Sequence, residues 1–590
     1  MVVMELYRPQ FLVIVRILNG CLLLISLLAL ISLIAEYGFY LSPQQKAYLH
    51  ILDILIVWFF VFQALFKFAA AINPWEYIKV RWFDLLLVLF ILLQSVLLIG
   101  HMGLNFFQEV IQKGEVASIT KLYIVAVQVA LVFTVILQAV RFNQRISMWR
   151  LHPAQILLGS FLIIILLGTG LLLLPRAVQP GYQLSFLDAL FTATSATCVT
   201  GLIVVDTGSY FSRMGQLIIL TLIQIGGLGL MTFSSFFALI LRRSISLREK
   251  SMLREILNYE NMGLIGKLLL YTIVFTFSFE LVGAVVLFFG MADVHPDLGM
   301  RIYSAVFHSI SAFCNAGFSL YSTSLMAFHQ NYLVLGTVMV LIVLGGLGFP
   351  VLLNLSGMNL RPSTGRKRIL SVQSRIVLFV SGGLILLGMG AFLVFESSNT
   401  LQGMTWSQRF LHGLFQSITA RTAGFNTLEI SRLAVPTVLV FLVLMFIGAS
   451  PGSTGGGIKT TTVSILTAGV FAVIRGKNRL HLFKKNIPFT VLNRALVVFL
   501  FSLLFIFVSV VILTVVEQKD FVDLLFEVFS AFGTVGLSRG ITPELTAPGK
   551  FVIILLMFFG RLGALTISLA ITAPREVVHY DYPRENVMVG

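Results

Sequence analysis

The sequence predicts an all-α polytopic membrane protein: four pseudo-symmetric helix–pore loop–helix repeats around a central pore, preceded by about four extra transmembrane helices. Three observations predict it. Of 590 residues, 58% are hydrophobic and only 11% charged, which leaves too little polar surface for a soluble fold. The apolar runs are long enough to cross a bilayer, which takes about 20 residues of helix. A short Phe/Ser/Thr-rich segment ending in glycine also recurs four times. The glycines are Gly201 in TCVTGL, Gly317 in FCNAGFS, Gly424 in RTAGFNT and Gly536 in GTVGLSRG, separated by 116, 107 and 112 residues by subtraction. Self-similarity at a near-fixed period outranks local signals.

Taken in order, the apolar runs give candidate spans at 11–35, 51–72, 82–100 and 122–140 ahead of the repeats. Within the repeats they fall at 155–174, 215–240, 266–289, 332–354, 375–395, 436–449 with 458–474, 495–516 and 551–573. The tenth of these spans is broken. Short alternating strands of the kind a membrane β-barrel needs are absent from the pattern. Between the two spans of each repeat lies a shorter helix, at about 185–197, 299–313, 407–420 and 521–532. Each is too short to cross, so each is re-entrant, with its irregular backbone covered by protein or water. The expected organisation is an N-terminal membrane region, 1–150, then pore repeats at 151–255, 256–372, 373–486 and 487–590.

The net charge of +16 invites a nucleic-acid partner, but its distribution argues for none. Basic residues gather in four loops: Arg141, Arg145 and Arg150; Arg242, Arg243, Arg248, Lys250 and Arg254; Arg361, Arg366, Lys367, Arg368 and Arg375; Arg475, Lys477, Arg479, Lys484 and Lys485. These alternate with the glycine segments. The positive-inside rule makes them cytoplasmic, which puts the glycine segments outside and both termini inside. No cleavable signal peptide is expected, since the first apolar run is long and lacks a small-residue cleavage site. The three cysteines, Cys21, Cys198 and Cys314, are spaced for neither a disulfide framework nor a metal cluster. Cys198 and Cys314 each stand three residues before a motif glycine, and read as small residues behind the pore wall.

The glycines suggest the chemistry. A dehydrated monovalent cation needs a ring of oxygens, which inward-pointing backbone carbonyls supply. Glycine reaches the backbone angles this requires and leaves the path clear. The candidate ion-binding residues are therefore Thr200 and Gly201, Ala316 and Gly317, Ala423 and Gly424, Val535 and Gly536, holding potassium at their carbonyls. The preceding short helix adds the negative end of its dipole. A packing role competes for other glycines, which recur in the second helices of units one, two and four: Gly226, Gly227 and Gly229; Gly345, Gly346 and Gly348; Gly560 and Gly563.

Unit three departs from this pattern with FIGASPGSTGGGIKTTT, residues 446–462. Pro451 and its glycines break the helix in mid-membrane. Gly452 through Thr460 loosely resembles a phosphate-binding loop, but Ile458 displaces the lysine and no soluble strand precedes it. A gate is the better reading, built from Gly452, Ser453, Thr454, Gly455, Gly456, Gly457 and Lys459, with the small polar Ser453 and Thr454 able to line water. Arg561 lies inside the last span, where a charge is costly and usually functional. It either opposes cation passage and bonds the loop carbonyls, or staples the structure to those carbonyls or to an acid such as Glu280.

The four glycine segments, RTAGFNT, GSTGGGIKT and the GRLG arginine together resemble the Trk/Ktr/HKT superfamily of potassium transporters, over roughly 155–575. The resemblance implies a pore-forming subunit, a homodimer, and a cytoplasmic nucleotide-binding regulatory subunit of the TrkA/KtrA kind bound at the basic inner loops. It implies K+ as the transported ion, with no covalently bound cofactor. In plant relatives serine at the first filter glycine accompanies sodium preference, so Gly201 favours potassium. The departure is the N-terminal region, where relatives carry zero or two helices. Residues 51–92 faintly resemble voltage-sensor helices through Phe60, Gln63, Lys67 and Asp84, but 122–140 holds no Arg or Lys. A bundle used for assembly or lipid contact is the simpler reading. The expected function is potassium uptake across the cytoplasmic membrane, with sodium transport or sodium- or proton-coupled uptake as the alternative. An enzyme is not expected: the acids fall mostly in loops and the nine histidines show no ligand spacing.

Overall fold

A computed structural model describes residues 7–79, single positions between 82 and 92, and then 153–229, 265–356, 370–477 and 479–563. The spans expected at 82–100 (but for those single positions) and 122–140, most of the basic clusters and the tail after 563 lie outside the described residues. Two long helices come first, α1 (Leu12–Gly38) and α2 (Pro43–Ala69). Ser42 and Gln45 close a capping box at the start of α2. Lys67, one of the residues behind the faint voltage-sensor resemblance, donates to Asn19 on α1 at 2.6 Å, and Gln63 donates to the Leu18 carbonyl at 3.3 Å.

Four times thereafter the chain runs long helix, short helix, extended loop, helix. Unit one is α3 (Pro153–Leu172), α4 (Phe186–Thr197) and α5 (Arg213–Leu228). Unit two is α6 (Ile265–Gly290), α7 (Leu298–Phe313) and α8 (Tyr332–Leu347), continued by α9 (Phe349–Leu355). Unit three is α10 (Val372–Phe395), α11 (Trp406–Thr419) and the broken pair α12 (Val435–Phe446) and α13 (Thr460–Ile474). Unit four is α14 (Phe489–Val516), α15 (Phe521–Gly533) and α16 (Ala547–Leu562). Among the described residues six helices are long and apolar enough to span a membrane, or seven if α8 and α9 count as one.

Each short helix begins at a polar cap that satisfies a free N–H of the first turn: Ser185, Asp297, Thr405 and Asp520. Each then ends within a residue or so of the expected position. At the rim, polar groups tie the end of the first helix to the start of the second. Ser212 Oγ donates to the Arg176 carbonyl at 2.6 Å and Asn331 Nδ2 to the Gly290 carbonyl at 2.8 Å. Carboxylates do this in the later units. Glu396 accepts from Ala434 N and Thr437 Oγ1, and Glu517 from Thr546 N and Oγ1. Burial pushes the Glu396 carboxyl up, but hydrogen bonds from Thr437, Ala434 and Thr400 outweigh it and hold the group below its usual range.

The second helix of each unit packs on the short helix of the next: α5 on α7, α8 on α11, α12 on α15, and α16 back on α4. The apolar core accordingly lies in four seams. Phe211 and Ile223 meet Phe307 and Phe318 between units one and two, and Phe313 and Val338 meet Phe415 and Ala423 between two and three. Phe441 meets Phe526 between three and four, and Phe532 and Ile553 meet Phe191 and Leu202 between four and one. Two features differ from the sequence reading. The span expected as continuous over 332–354 bends by 102° at Gly348, because Gly348 takes a positive φ that ends one helix and starts the next. The loop with Lys484 and Lys485 also folds into a small antiparallel hairpin, β1 (Leu480–Leu482) and β2 (Lys485–Ile487).

Candidate functional site

The four motif glycines form a closed ring. Each has a positive φ: 91° at Gly201, 69° at Gly317, 79° at Gly424 and 91° at Gly536. A Cβ on Gly201 would stand 2.4 Å from the Ala316 carbonyl, one on Gly317 2.7 Å from that of Ala423, and one on Gly424 2.5 Å from that of Val535. On Gly536 it would stand 2.2 Å from the Thr200 carbonyl, which returns to the start. The carbonyls on this circuit are those of the four residues chosen from sequence beside the glycines. No side chain fits here, since every Cβ would drive into a neighbouring unit's backbone.

The approach to the ring repeats as well. Two residues before each glycine stands another positive φ, at Val199, Asn315, Thr422 and Thr534. The intervening residue turns its N–H back to the short helix: Thr200 N to Ser195 O, Ala316 N to Ser311 O, Ala423 N to Thr419 O and Val535 N to Ser530 O, at 2.8–3.0 Å. Hydroxyls on these helix ends fix the glycines themselves, with Gly201 N donating to Ser195 Oγ at 3.1 Å and Gly536 N to Ser530 Oγ at 3.2 Å. Cys198 and Cys314 are free and fully buried.

The broken segment of unit three lies against this ring through the residues two before the glycines. Gly456 N donates to Thr534 Oγ1 at 3.0 Å, and a Cβ on Gly455 would meet Thr422 Oγ1 at 2.3 Å. Thr454 Oγ1 donates to the Phe313 carbonyl at 3.3 Å, so this hydroxyl faces protein backbone where the sequence suggested water. Ser453 Oγ is likewise turned to the Ser450 carbonyl. The backbone is held from the flanking helices, with Thr454 N on Gly345 O, Phe349 N on Gly452 O and Gly457 N on Gly560 O. Lys459 caps its own loop, its Nζ 2.7 Å from the Gly455 carbonyl.

Arg561 donates to two carbonyls, Thr454 on the loop and Gly226 on α5. Of the partners considered from sequence, the loop carbonyl is the one observed. Glu280 instead accepts from Gln224 Nε2 at 3.0 Å and lies 3.8 Å from Cys314 Sγ. Gly226, Gly345 and Gly560 on the second helices are packing positions in this structure. A Cβ on Gly226, Gly345 or Gly560 would fall about 2 Å from the carbonyl of Thr197, Phe313 or Phe532, the last turn of a short helix. Three residues later Gly229, Gly348 and Gly563, all at positive φ, end those helices.

Sequence reasoning missed several buried polar groups here. Arg421, within the RTAGFNT stretch, reaches the Gly448 carbonyl at 3.3 Å and Ser381 on α10. It fastens the start of the broken segment as Arg561 fastens its middle. His308, Gln416 and Glu527 are also fully or almost fully buried in the short helices. Their spacing from the ring glycines, at eight or nine residues, was the available signal.

Residues 127–578 match the TrkH family, described as cation transport proteins. The chain belongs to the TrkH family. Within it, the chain is 39% identical over 450 residues to a potassium/sodium uptake protein of Enterococcus hirae, covering 75% of this chain and 98% of that one. It is also 39% identical over 455 residues to the Ktr system potassium uptake protein B of Bacillus subtilis, covering 76% and 99% respectively. The crystal structure of the potassium transporter TrkH from Vibrio parahaemolyticus superposes with a TM-score of 0.58 at 19% identity, over 84% of this chain and 98% of that one. That likeness shows a TrkH-type membrane fold.

Proposed function

We propose that this chain takes up potassium across the cytoplasmic membrane through a filter formed by the carbonyls of Thr200, Ala316, Ala423 and Val535 and their glycines. The observation that carries the reading is the closed circuit of four glycines, each with its Cβ position blocked by the next unit's carbonyl. Four inward backbone segments provide oxygens without ionised ligands, which suits a cation that must leave again. A potential negative inside drives entry, worth about 2.3 kcal/mol per charge per 100 mV.

The loop from Gly452 to Lys459 is the gate in this reading, with Arg561 and Arg421 as its anchors. The loop touches units two and four as well as its own, and Arg561 adds unit one, so its displacement would be felt around the whole ring. The four repeats are taken as 151–255, 256–372, 373–486 and 487–590, with both termini inside. The protein is proposed to work as a homodimer with a cytoplasmic nucleotide-binding regulatory subunit on the basic inner loops. Sodium is the second reading, favoured by the name of the Enterococcus relative, a potassium/sodium uptake protein.

The test is ion flux into liposomes by the purified protein, comparing wild type with Gly317→Ser and Gly424→Ser at matched incorporation. Wild type is expected to pass rubidium and potassium well ahead of sodium. The variants should lose about tenfold of that ratio, the equivalent of about 1.4 kcal/mol of ion discrimination. Unchanged ratios in both variants would remove the filter assignment. A wild-type preference for sodium would favour the second reading.

A further inference from the structure

Behind the ring carbonyls lies a second set of residues, arranged by the same repeat but with different chemistry in each unit. In units two and four the residue nine before the ring glycine, His308 or Glu527, reaches from the short helix to the strand that leaves the ring. His308 Nε2 meets Ser319 Oγ at 3.0 Å, and Leu320 N donates to the same nitrogen at 3.4 Å. Glu527 Oε1 accepts from Ser538 Oγ and from Arg539 N, the latter at 3.2 Å, and Oε2 accepts from Thr542 Oγ1 at 2.9 Å. Ser319 and Ser538 each stand two residues after their glycine, Leu320 and Arg539 three. The two clamps are therefore equivalent in position, one imidazole and one carboxyl.

Unit three has the same clamp with its register moved by one. Thr419, five before Gly424, bonds the Phe425 carbonyl at 2.6 Å, as Ser311, six before Gly317, bonds that of Phe318 at 2.7 Å. Gln416, eight before Gly424, thus takes the place of His308 and Glu527. Its amide lies 3.5 Å from Thr427 Oγ1, which His412 Nδ1 also meets at 2.9 Å. In unit one, among the described residues, the matching Thr192 bonds only its own helix, at the Asp188 carbonyl. The strongest clamp is in unit four. There Glu527 is 1% exposed, and the Arg539 side chain is drawn to Asp523 on the same helix.

We infer that Glu527, with His308 and Gln416 as its counterparts, is a positioning residue that sets the diameter of the ring and so the preference for potassium over sodium. The inference rests on the filter reading above. On the cavity-size account of selectivity, a carbonyl ring whose outgoing segments are free closes around the smaller ion, and one whose segments are fixed does not. Removing Glu527 strips one acceptor group from three donors at once, Ser538 Oγ and Arg539 N in the segment that leaves Gly536 and the buried Thr542 Oγ1 just beyond it.

The test is the potassium-to-sodium flux ratio in liposomes, read beside total potassium flux and thermal unfolding. Glu527→Ala is expected to lower the ratio about fivefold while potassium flux persists. Glu527→Gln keeps an acceptor for Ser538 and Arg539 N, and should stay within about twofold of wild type. An unchanged ratio in Glu527→Ala, or an equal loss in Glu527→Gln, would overturn the inference. Should Glu527→Ala fail to fold, Ser538→Ala and Thr542→Val test the same bonds from the other side, and unchanged ratios in both would overturn it. Gly536→Ser is run in parallel. If it keeps full selectivity, the filter reading itself fails; if it loses selectivity while the clamp variants do not, the clamp alone fails.

Discussion

Arg561 shows how much one side chain decides here. Its guanidinium takes a carbonyl from the broken loop and another from α5, so a residue of unit four fastens units three and one together. Arginine suits the task because its planar fork offers several donors in fixed directions. Arg561→Ala would leave both carbonyls buried without a partner, at about 1–3 kcal/mol each. If the loop is the gate proposed above, it would also remove a cation placed to oppose ion passage. The expected result is a lower unfolding temperature together with a raised basal cation leak in liposomes. Arg561→Lys, a point charge with one short reach, should fall between. Destabilisation with no change in basal flux would reduce the arginine to a structural staple.

At the scale of elements, the second helices are shaped by glycines that serve contact. Gly345 is the sharpest case, since a methyl there would sit 1.9 Å from the Phe313 carbonyl and 2.7 Å from Asn315. Backbone cannot yield cheaply, so Gly345→Ala should cost about 3 kcal/mol or more. The expected observation is loss of folded protein or an unfolding temperature lowered by many degrees. Gly382 on α10 is the control. Nothing lies within 4 Å of its Cβ position, and alanine is the better helix former by about 1 kcal/mol. Gly382→Ala should be neutral or stabilising in the same assay. Equal behaviour of the two variants would argue against the packing account.

For the whole molecule, what matters is that the four units close. The last seam, between units four and one, joins the residues furthest apart in sequence, and it carries an ion pair. Lys550 on α16 meets Asp188 on α4 at 2.7 Å, with side chains 15% and 21% exposed. Such a pair lies between the exposed and fully buried cases, so Lys550→Met should cost about 1–2 kcal/mol. The exchange Asp188→Lys with Lys550→Asp should recover part of it in thermal unfolding. No loss in the single variant would show that apolar packing alone closes the ring.

The sequence determined the number of repeats, the four glycines, the short helices to within a residue or so at either end, and the break in unit three. Periodicity, helix length and glycine or proline placement are local properties of the chain, and each was legible in it. The partner of Arg561 was narrowed but not chosen, since the loop carbonyls and Glu280 were both in reach on paper. Tertiary structure made that choice, because only packing says which polar group lies within 3 Å. It likewise turned Thr454 from water to the Phe313 carbonyl and bent the span at Gly348. The clamps were hidden for the same reason. His308, Gln416 and Glu527 share no chemistry, and unit three shifts its register by one. Their equivalence exists in the folded ring, where a short helix and the strand leaving its own glycine lie side by side.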